Sequence, residues 1–445
     1  MATSTFIERA KFSCALGGAI TTVNGLARTV PIVHAAGGCA SGLSGTYNTA
    51  AGYRGVGYCG GQMIPTSNIA ENNVVFGGED RLEEQIESTL HALDGDLYIV
   101  LTGCQVEIIG DDAVSVARRF RDRNVVGVSS PGFLGNTLTG YDAVMTALAT
   151  DVIPLADRKV QAVNIFGVVP GHDVFYRGNL DLITELLGKI GVKANTFFGT
   201  GVTVADIKSY GEAVLNVVLS PNAGLKPAEE LGRLQNIPTL QAELPIGPFG
   251  TEQFLRKVAD ALKIDAALVD RVIASETTYY YSFLERIVDI YSDIDFQRYA
   301  IVAADGYYAH TLTRFLANDL GWIPHLTAIN DITDEDAQAA YLKLFDDISS
   351  ETKPTIVFEQ QAGQILKHVR NSRENNTNKK YYDALSPAYV VGTGIESGLA
   401  AKLGAGFLAV PFPVSNRVVL NKGYAGYKGA LTLVEDLLTN LVSAR

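Results

Sequence analysis

The chain has 445 residues, too many for one hydrophobic core, so two or three domains are expected. Apolar residues make up 47% and charged residues 19%, which excludes a disordered chain and describes an ordered protein with large cores. A formal net charge of −12 argues against a nucleic-acid binder, because neutralising phosphates takes clustered Lys and Arg.

The N-terminal run from Met1 to Arg9 lacks the apolar core and small-residue cleavage site of a signal peptide. No apolar stretch reaches the roughly 18 residues that would span a bilayer, so no membrane association is expected. Four cysteines without a dense framework fit a reducing compartment, and cytoplasm is the expected location.

Buried-strand patterns recur along the chain with helical patterns between them. Leu97–Thr102 reads as a strand, followed by a helix from about Asp112 to Arg123. The basic run Arg118-Arg119-Phe120-Arg121-Asp122-Arg123 fits the last turn of that helix, where cations oppose the dipole. Val125–Val128 is the next strand, then Gln161–Gly167. A helix from about Leu180 to Ile190 follows, with Asn179 as its N-cap. Ala213–Val218 and Tyr299–Ala304 are further strands, the latter before a helix from about Tyr308 to Leu320. Thr355–Glu359, Ala388–Gly392 and Gly406–Val410 complete the series, and the polar run Asn371–Lys380 reads as an exposed loop.

Short apolar runs alternating with amphipathic helices predict parallel sheets covered on both faces. The expected fold is α/β, with three Rossmann-like domains, each a mostly parallel sheet flanked by helices. The boundaries fall near 157 and 297, giving domains at 1–157, 158–297 and 298–445, the first carrying Cys14, Cys39 and Cys104.

Those cysteines stand in glycine-bordered settings: Ser13-Cys14-Ala15-Leu16-Gly17-Gly18, His34-Ala35-Ala36-Gly37-Gly38-Cys39 and Thr102-Gly103-Cys104. Ligands of open α/β sheets bind beyond the carboxyl ends of the strands, which is where Cys104 stands after Leu97–Thr102. The spacing contains no C-x-x-C, so a zinc ribbon, a thioredoxin site and a ferredoxin run are excluded. Two readings stay open on spacing alone, three unrelated buried thiols or three ligands of one iron–sulfur centre. Three is an awkward number for a cubane. Cys59, in Gly57-Tyr58-Cys59-Gly60-Gly61, a non-cysteine ligand, or another chain would complete the set.

Asp111 or Asp112 is expected to cap the helix that begins there, with metal ligation or proton transfer by Glu107 and Asp111 as the functional alternative. His34 is either a proton relay near a sulfur or a satisfied histidine. The run Gly392-Thr393-Gly394-Ile395-Glu396-Ser397-Gly398 resembles a phosphate cradle but lacks the Lys and Ser/Thr of a P-loop. It reads as a tight strand-to-helix turn, and no ATP hydrolysis by this chain is expected.

The chain resembles the nitrogenase component 1 superfamily. The resemblance rests on Ser13-Cys14-Ala15, His34–Cys39, Asn73–Gly78, Thr102–Cys104 through Glu107–Asp112, and Pro131–Gly135 through Thr139-Gly140-Tyr141-Asp142. Weaker echoes occur at Pro245-Ile246-Gly247 and from Phe412-Pro413 to Gly423-Tyr424.

That resemblance implies homologous α and β subunits of three α/β domains in an α2β2 heterotetramer. It also implies a P-type iron–sulfur cluster (8Fe-7S) shared across the αβ interface, with Cys14, Cys39 and Cys104 as this chain's ligands. No cysteine follows Cys104, so the chain looks like the β-type subunit, and an active-site metallocluster is expected in the partner α subunit. The resemblance further implies electron delivery by a transiently docked, ATP-dependent iron–sulfur reductase protein.

The chain departs from the family pattern in four places. Gly132 stands where many β subunits carry a serine that can bind the oxidised cluster. His34–Cys39 differs from the usual His-Gly-x-Gln-Gly-Cys, the long N-terminal extension of molybdenum-type β subunits is missing, and Cys59 is unusual. These departures suggest a divergent member acting on carbon–sulfur bonds, like the methylthio-alkane reductases, with a vanadium or iron-only nitrogenase β subunit as the alternative. A cofactor-assembly scaffold, a dark-operative protochlorophyllide reductase-like subunit and a purely structural subunit are further readings.

Overall fold

The computed structural model describes residues 7, 9–55, 64–291, 293, 295–372 and 386–443. Among these, twelve strands form three sheets, and every strand pairing within them is parallel.

The first sheet has the order β1 (Thr29–His34), β2 (Leu97–Thr102), β3 (Val125–Val128). β2 is buried along its whole length, as a central strand covered on both faces requires. β1 was not expected from the sequence because Pro31 interrupts it. Proline is tolerated here because β1 is an edge strand, where a missing N–H breaks no ladder.

The second sheet joins β4 (Ala162–Phe166), β5 (Lys193–Thr196), β6 (Leu215–Val218) and β7 (Thr239–Gln241) in the order β5-β4-β6-β7. The third joins β8 (Tyr299–Ala304), β9 (Ile323–Ile329), β10 (Thr355–Phe358), β11 (Ala388–Gly392) and β12 (Gly406–Ala409) in the order β10-β9-β8-β11-β12. The α/β class with three helix-flanked parallel sheets is therefore as expected. The C-terminal helix Gly426–Ser443 packs back on the helices Gly247–Leu262 and Ala266–Leu284.

Three expected helices differ in detail. The helix expected over 112–123 ends at Arg118, and a separate turn of 3₁₀ helix spans Arg121–Arg123 before Asn124 at φ 57°. Of the basic run, only Arg118 thus opposes the dipole of an α-helix. The helix expected over 308–320 is Ala309–Arg314 continued by one π-turn, Phe315–Asp319. The helix after β4 spans Tyr176–Lys189, so Asn179 lies inside it rather than capping it. The Asn179 amide is instead spent on tertiary bonds, donating to Asp173 and the Tyr308 hydroxyl and accepting from the amides of Tyr424 and Ala425.

Of the expected loop at 371–380, residues 373–380 lie outside the described residues, as does Cys59. No helix among the described residues is long and apolar enough to cross a membrane.

Candidate functional site

Three loops at the carboxyl end of the first sheet, together with the segment before its first helix, bring the cysteines together. Cys14 stands in extended backbone as the N-cap residue of the helix Ala15–Gly25. Cys39 lies in the first turn of the helix Gly37–Ala50, which follows β1. Cys104 opens the helix Cys104–Ile109 directly after β2 and Gly103. The turn after β3 supplies Gly132.

Close backbone approaches hold these pieces. The buried helix Ala15–Gly25 packs on Thr137–Ala147 through Gly18 and Gly140. A Cβ at Gly140 would stand 1.9 Å from the Ala15 carbonyl oxygen, and one at Gly18 would stand 2.1 Å from that of Thr137. Ala15 N donates to Gly135 O at 3.0 Å, which ties the Cys14 segment to the Gly132 turn. Gly103 abuts Ala35, with a Cβ there falling 2.5 Å from that of Ala35, and its amide donates to His34 O at 2.9 Å.

At Gly132, a Cβ would lie 3.2 Å from the sulfur of Cys104 and 3.2 Å from the sulfur of Cys14. The two sulfurs are therefore within about twice that distance of each other. Cys39 belongs to the same electrostatic group. Burial pushes its thiol pKa up, and the charges of Cys14 and Cys104 push it further. All three thiols are free and partly exposed. Among the described residues no group of three or more His, Cys, Asp or Glu side chains is arranged to hold a single metal ion. The donor set is three soft thiols and a glycine space between two of them. It suits a polynuclear iron–sulfur group, whose irons are held by separated thiolates.

Exposed apolar side chains stand on the segments that carry Gly132 and Cys104. Phe133 and Leu134 follow Gly132 and are 60% and 55% exposed, and Ile108, on the Cys104 helix, is 75% exposed. Val75 and Phe76 are exposed on the helix Glu71–Phe76, which packs against that of Cys104. An apolar face of this kind marks a contact surface.

The neighbouring polar residues serve the scaffold. His34 is fully buried, with Nδ1 2.9 Å from the Ser67 hydroxyl and Nε2 3.1 Å from Asp111. Burial lowers its pKa and the Asp111 carboxylate partly offsets this. Both ring nitrogens are engaged, so His34 is the satisfied histidine of the two readings. Asp111 also accepts from Gly78 N, while Asp112 caps the helix Ala113–Arg118 by accepting from Ser115 N at 3.0 Å. Glu107 accepts from the hydroxyls of Thr102 at 2.5 Å and Ser129 at 2.7 Å, bracing the ends of β2 and β3.

The turn at Gly392–Gly398 is the expected strand-to-helix turn, capped by Thr393 and Glu396. Its one charged side chain, Glu396, pairs with Lys11 at 2.8 Å. The pair was not visible in the sequence, whereas the closeness of Gly132 to the thiols agrees with the position the family resemblance gave it. The Pro131-Gly132-Phe133 turn was the available signal for the latter.

The profile of the family described as "Nitrogenase component 1 type Oxidoreductase" matches residues 14–442. The chain is 24% identical to a nitrogenase molybdenum-iron protein beta chain of Methanococcus maripaludis, over 97% of this chain and 93% of that protein. It is 24% identical to a nitrogenase iron-iron protein beta chain of Rhodobacter capsulatus, over 85% of this chain and 83% of that one. A nitrogenase iron-molybdenum cofactor biosynthesis protein NifE of Clostridium pasteurianum is 27% identical over 56% of this chain and 54% of its own length. Among solved structures, "Nitrogenase Cp1 at pH 6.5" superposes with a TM-score of 0.77 at 18% identity, over 100% of this chain and 95% of that chain, a likeness of fold.

Proposed function

The chain belongs to the nitrogenase component 1 type oxidoreductases, and from that premise we propose that it is the β-type, electron-relaying subunit of a nitrogenase-like reductase. The observation that carries the proposal is the convergence of the Cys14 and Cys104 sulfurs on Gly132, with Cys39 in the same electrostatic group. Cys14, Cys39 and Cys104 would hold this chain's half of a P-type iron–sulfur cluster, and a homologous α-type subunit the other half, in an α2β2 heterotetramer. When bound, such a cluster supplies reversible electron storage at low potential.

The chain's own residues do the rest. The three thiolates would be the donors to iron, and Gly132 leaves room that a side chain would fill. Phe133, Leu134 and Ile108 form an apolar surface that, once paired, keeps water from the thiols. The active-site metallocluster belongs to the partner α chain in this reading. An ATP-dependent iron–sulfur reductase protein supplies the electrons by transient docking, and the complex works in the cytoplasm.

The reaction we favour is reductive carbon–sulfur cleavage of the methylthio-alkane reductase type. Two electrons from the reductase and two protons break the C–S bond, giving an alkane and methanethiol. The support is this chain's divergence at Gly132 and at His34–Cys39 from the β-chain pattern of nitrogen-fixing enzymes.

A β subunit of a vanadium or iron-only nitrogenase is the second reading, supported by the R. capsulatus relative. A cofactor-assembly scaffold is the third, supported by the likeness to NifE. The test is to purify the complex with its α partner, count iron with wild-type chain and with Cys39→Ala, and assay reduction of a methylthio-alkane and of dinitrogen. Iron lost in the variant and methanethiol release by the wild type are expected. Unchanged iron refutes the ligand assignment, ammonia formation favours the second reading, and a loaded complex without turnover favours the third.

A further inference from the structure

The three residues leading into Cys14 are each held from a different sheet. Lys11 meets Glu396 of the turn after β11, Nζ to Oε1 2.8 Å, with both side chains buried. The other carboxylate oxygen of Glu396 accepts from the Thr393 amide at 2.9 Å and its hydroxyl at 2.7 Å, so the acid is fixed before the lysine reaches it. Phe12 stacks on the imidazole of His172 at 4.6 Å, beyond β4, and His172 Nε2 meets Asp305, beyond β8, at 2.9 Å. The Ser13 hydroxyl meets those of Tyr47 at 2.8 Å and Thr137 at 3.0 Å, on helices of the first sheet.

Two cavities flank this segment. One, of about 340 Å³, is lined by Lys11, Phe12, Cys14, Asn136 and Asp331. The other, of about 240 Å³, is lined by Arg9, Glu396 and Lys402. Phe12 packs against the main core and Ser13 N donates to the Thr137 hydroxyl at 3.0 Å, so packing and these contacts together set the course of the segment. Of these the Lys11–Glu396 pair is the only one between opposite formal charges of a lysine and a carboxylate. The contact is an ion pair outside hydrogen-bond geometry, and removing either partner leaves the other charge buried and alone, which is costly even where the pair itself adds little net stability.

We propose that Lys11 and Glu396 are positioning residues for Cys14, by which the third sheet fixes the direction of a thiol that belongs to the first. This gives the Gly392–Gly398 turn a role as a clasp rather than a phosphate cradle. The role as ligand positioner rests on Cys14 being a cluster ligand, whereas the effect on the thiol itself does not require iron.

The test uses the full chain free of iron. The alkylation rates of Cys14 and Cys104 by iodoacetamide are read by mass spectrometry in wild type, Lys11→Met and Glu396→Gln. Each substitution is expected to raise the Cys14 rate by about tenfold while the Cys104 rate stays within about twofold, since only the local opening of segment 11–14 changes. Glu396→Gln keeps the shape of the turn should Lys11→Met fail to fold. Equal acceleration at both cysteines, or none at Cys14, overturns the proposal. Because no metal enters this readout, failure of the clasp and failure of the cluster assignment are separate results.

Discussion

Gly132 faces Cys104 so closely that a Cβ at position 132 would stand 3.2 Å from the Cys104 sulfur, and equally close to that of Cys14. The glycine is thus part of the thiol arrangement, although it contributes no donor atom. Gly132→Ala puts one carbon at a tight but adjustable distance, so iron is expected to be retained with an altered paramagnetic spectrum. Gly132→Val adds two more carbons beside a Cβ already in tight contact with both sulfurs, with overpacking on the order of 1–3 kcal/mol, and iron is expected to be lost. Metal analysis of the two complexes checks this, and full loading of the valine variant would contradict it.

Gly140 lets two helices touch at the base of the Cys14 segment. A Cβ there would lie 1.9 Å from Ala15 O and 2.5 Å from Ala19 N, both backbone atoms that cannot rotate away. Gly140→Ala is therefore expected to destabilise the chain by roughly 2–4 kcal/mol, more than most single substitutions. Denaturant unfolding of the purified chain measures it, and an unchanged midpoint would show that the helices part freely.

Phe133 and Ile108 are exposed in the isolated chain, at 60% and 75%. If their face is the α-subunit interface, Phe133→Asp is expected to weaken association by about tenfold or more, as loss of an aromatic anchor does. Its thermal stability should stay near wild type, because little of the ring is buried. Sedimentation of the α and β chains together checks both points. Unchanged assembly would place the interface elsewhere.

Asp319 carries a pH signature unrelated to the thiols. Burial pushes its pKa up to about 7, against the amide of Phe249 and the charge of Arg314, which favour the anion. One carboxylate oxygen accepts from Phe249 N and the other has no hydrogen-bond partner among the described residues. The folded state thus holds this proton more tightly than the unfolded state, where an aspartate titrates near 3.9. Its contribution to stability is full below about pH 4 and is lost as pH rises through about 7. Asp319→Asn keeps the acceptor for Phe249 and removes the buried charge. It is expected to be neutral at pH 4 and stabilising by up to about 4 kcal/mol at pH 8, about 1.4 kcal/mol for each pH unit between the two pKa values. A stability curve against pH tests this, and a difference that shrinks above pH 7 would reverse the sign of the account.

The parts of the fold legible in the sequence are those whose strands are buried on both faces. Leu97–Thr102 and Tyr299–Ala304 are continuous apolar runs because helices cover both sides of their sheets. β5 and β7 are short and half polar, and β1 and β9 contain prolines, so local pattern alone did not reveal them. Asn179 misled for a physical reason, since an amide suited to capping is here used between elements distant in sequence. At the site, the cysteines were legible from their glycine borders and from their place after strands. The ion pair of Lys11 with Glu396 was not, because its partners meet only once the first and third sheets are assembled.

The most direct measurement is anomalous diffraction at the iron edge from crystals of the chain bound to its α partner. The account predicts an iron peak bounded by the sulfurs of Cys14, Cys39 and Cys104 at the boundary between the two subunits. Crystals of the assembled, iron-loaded complex with those thiols bare, or with iron held only elsewhere, would contradict it.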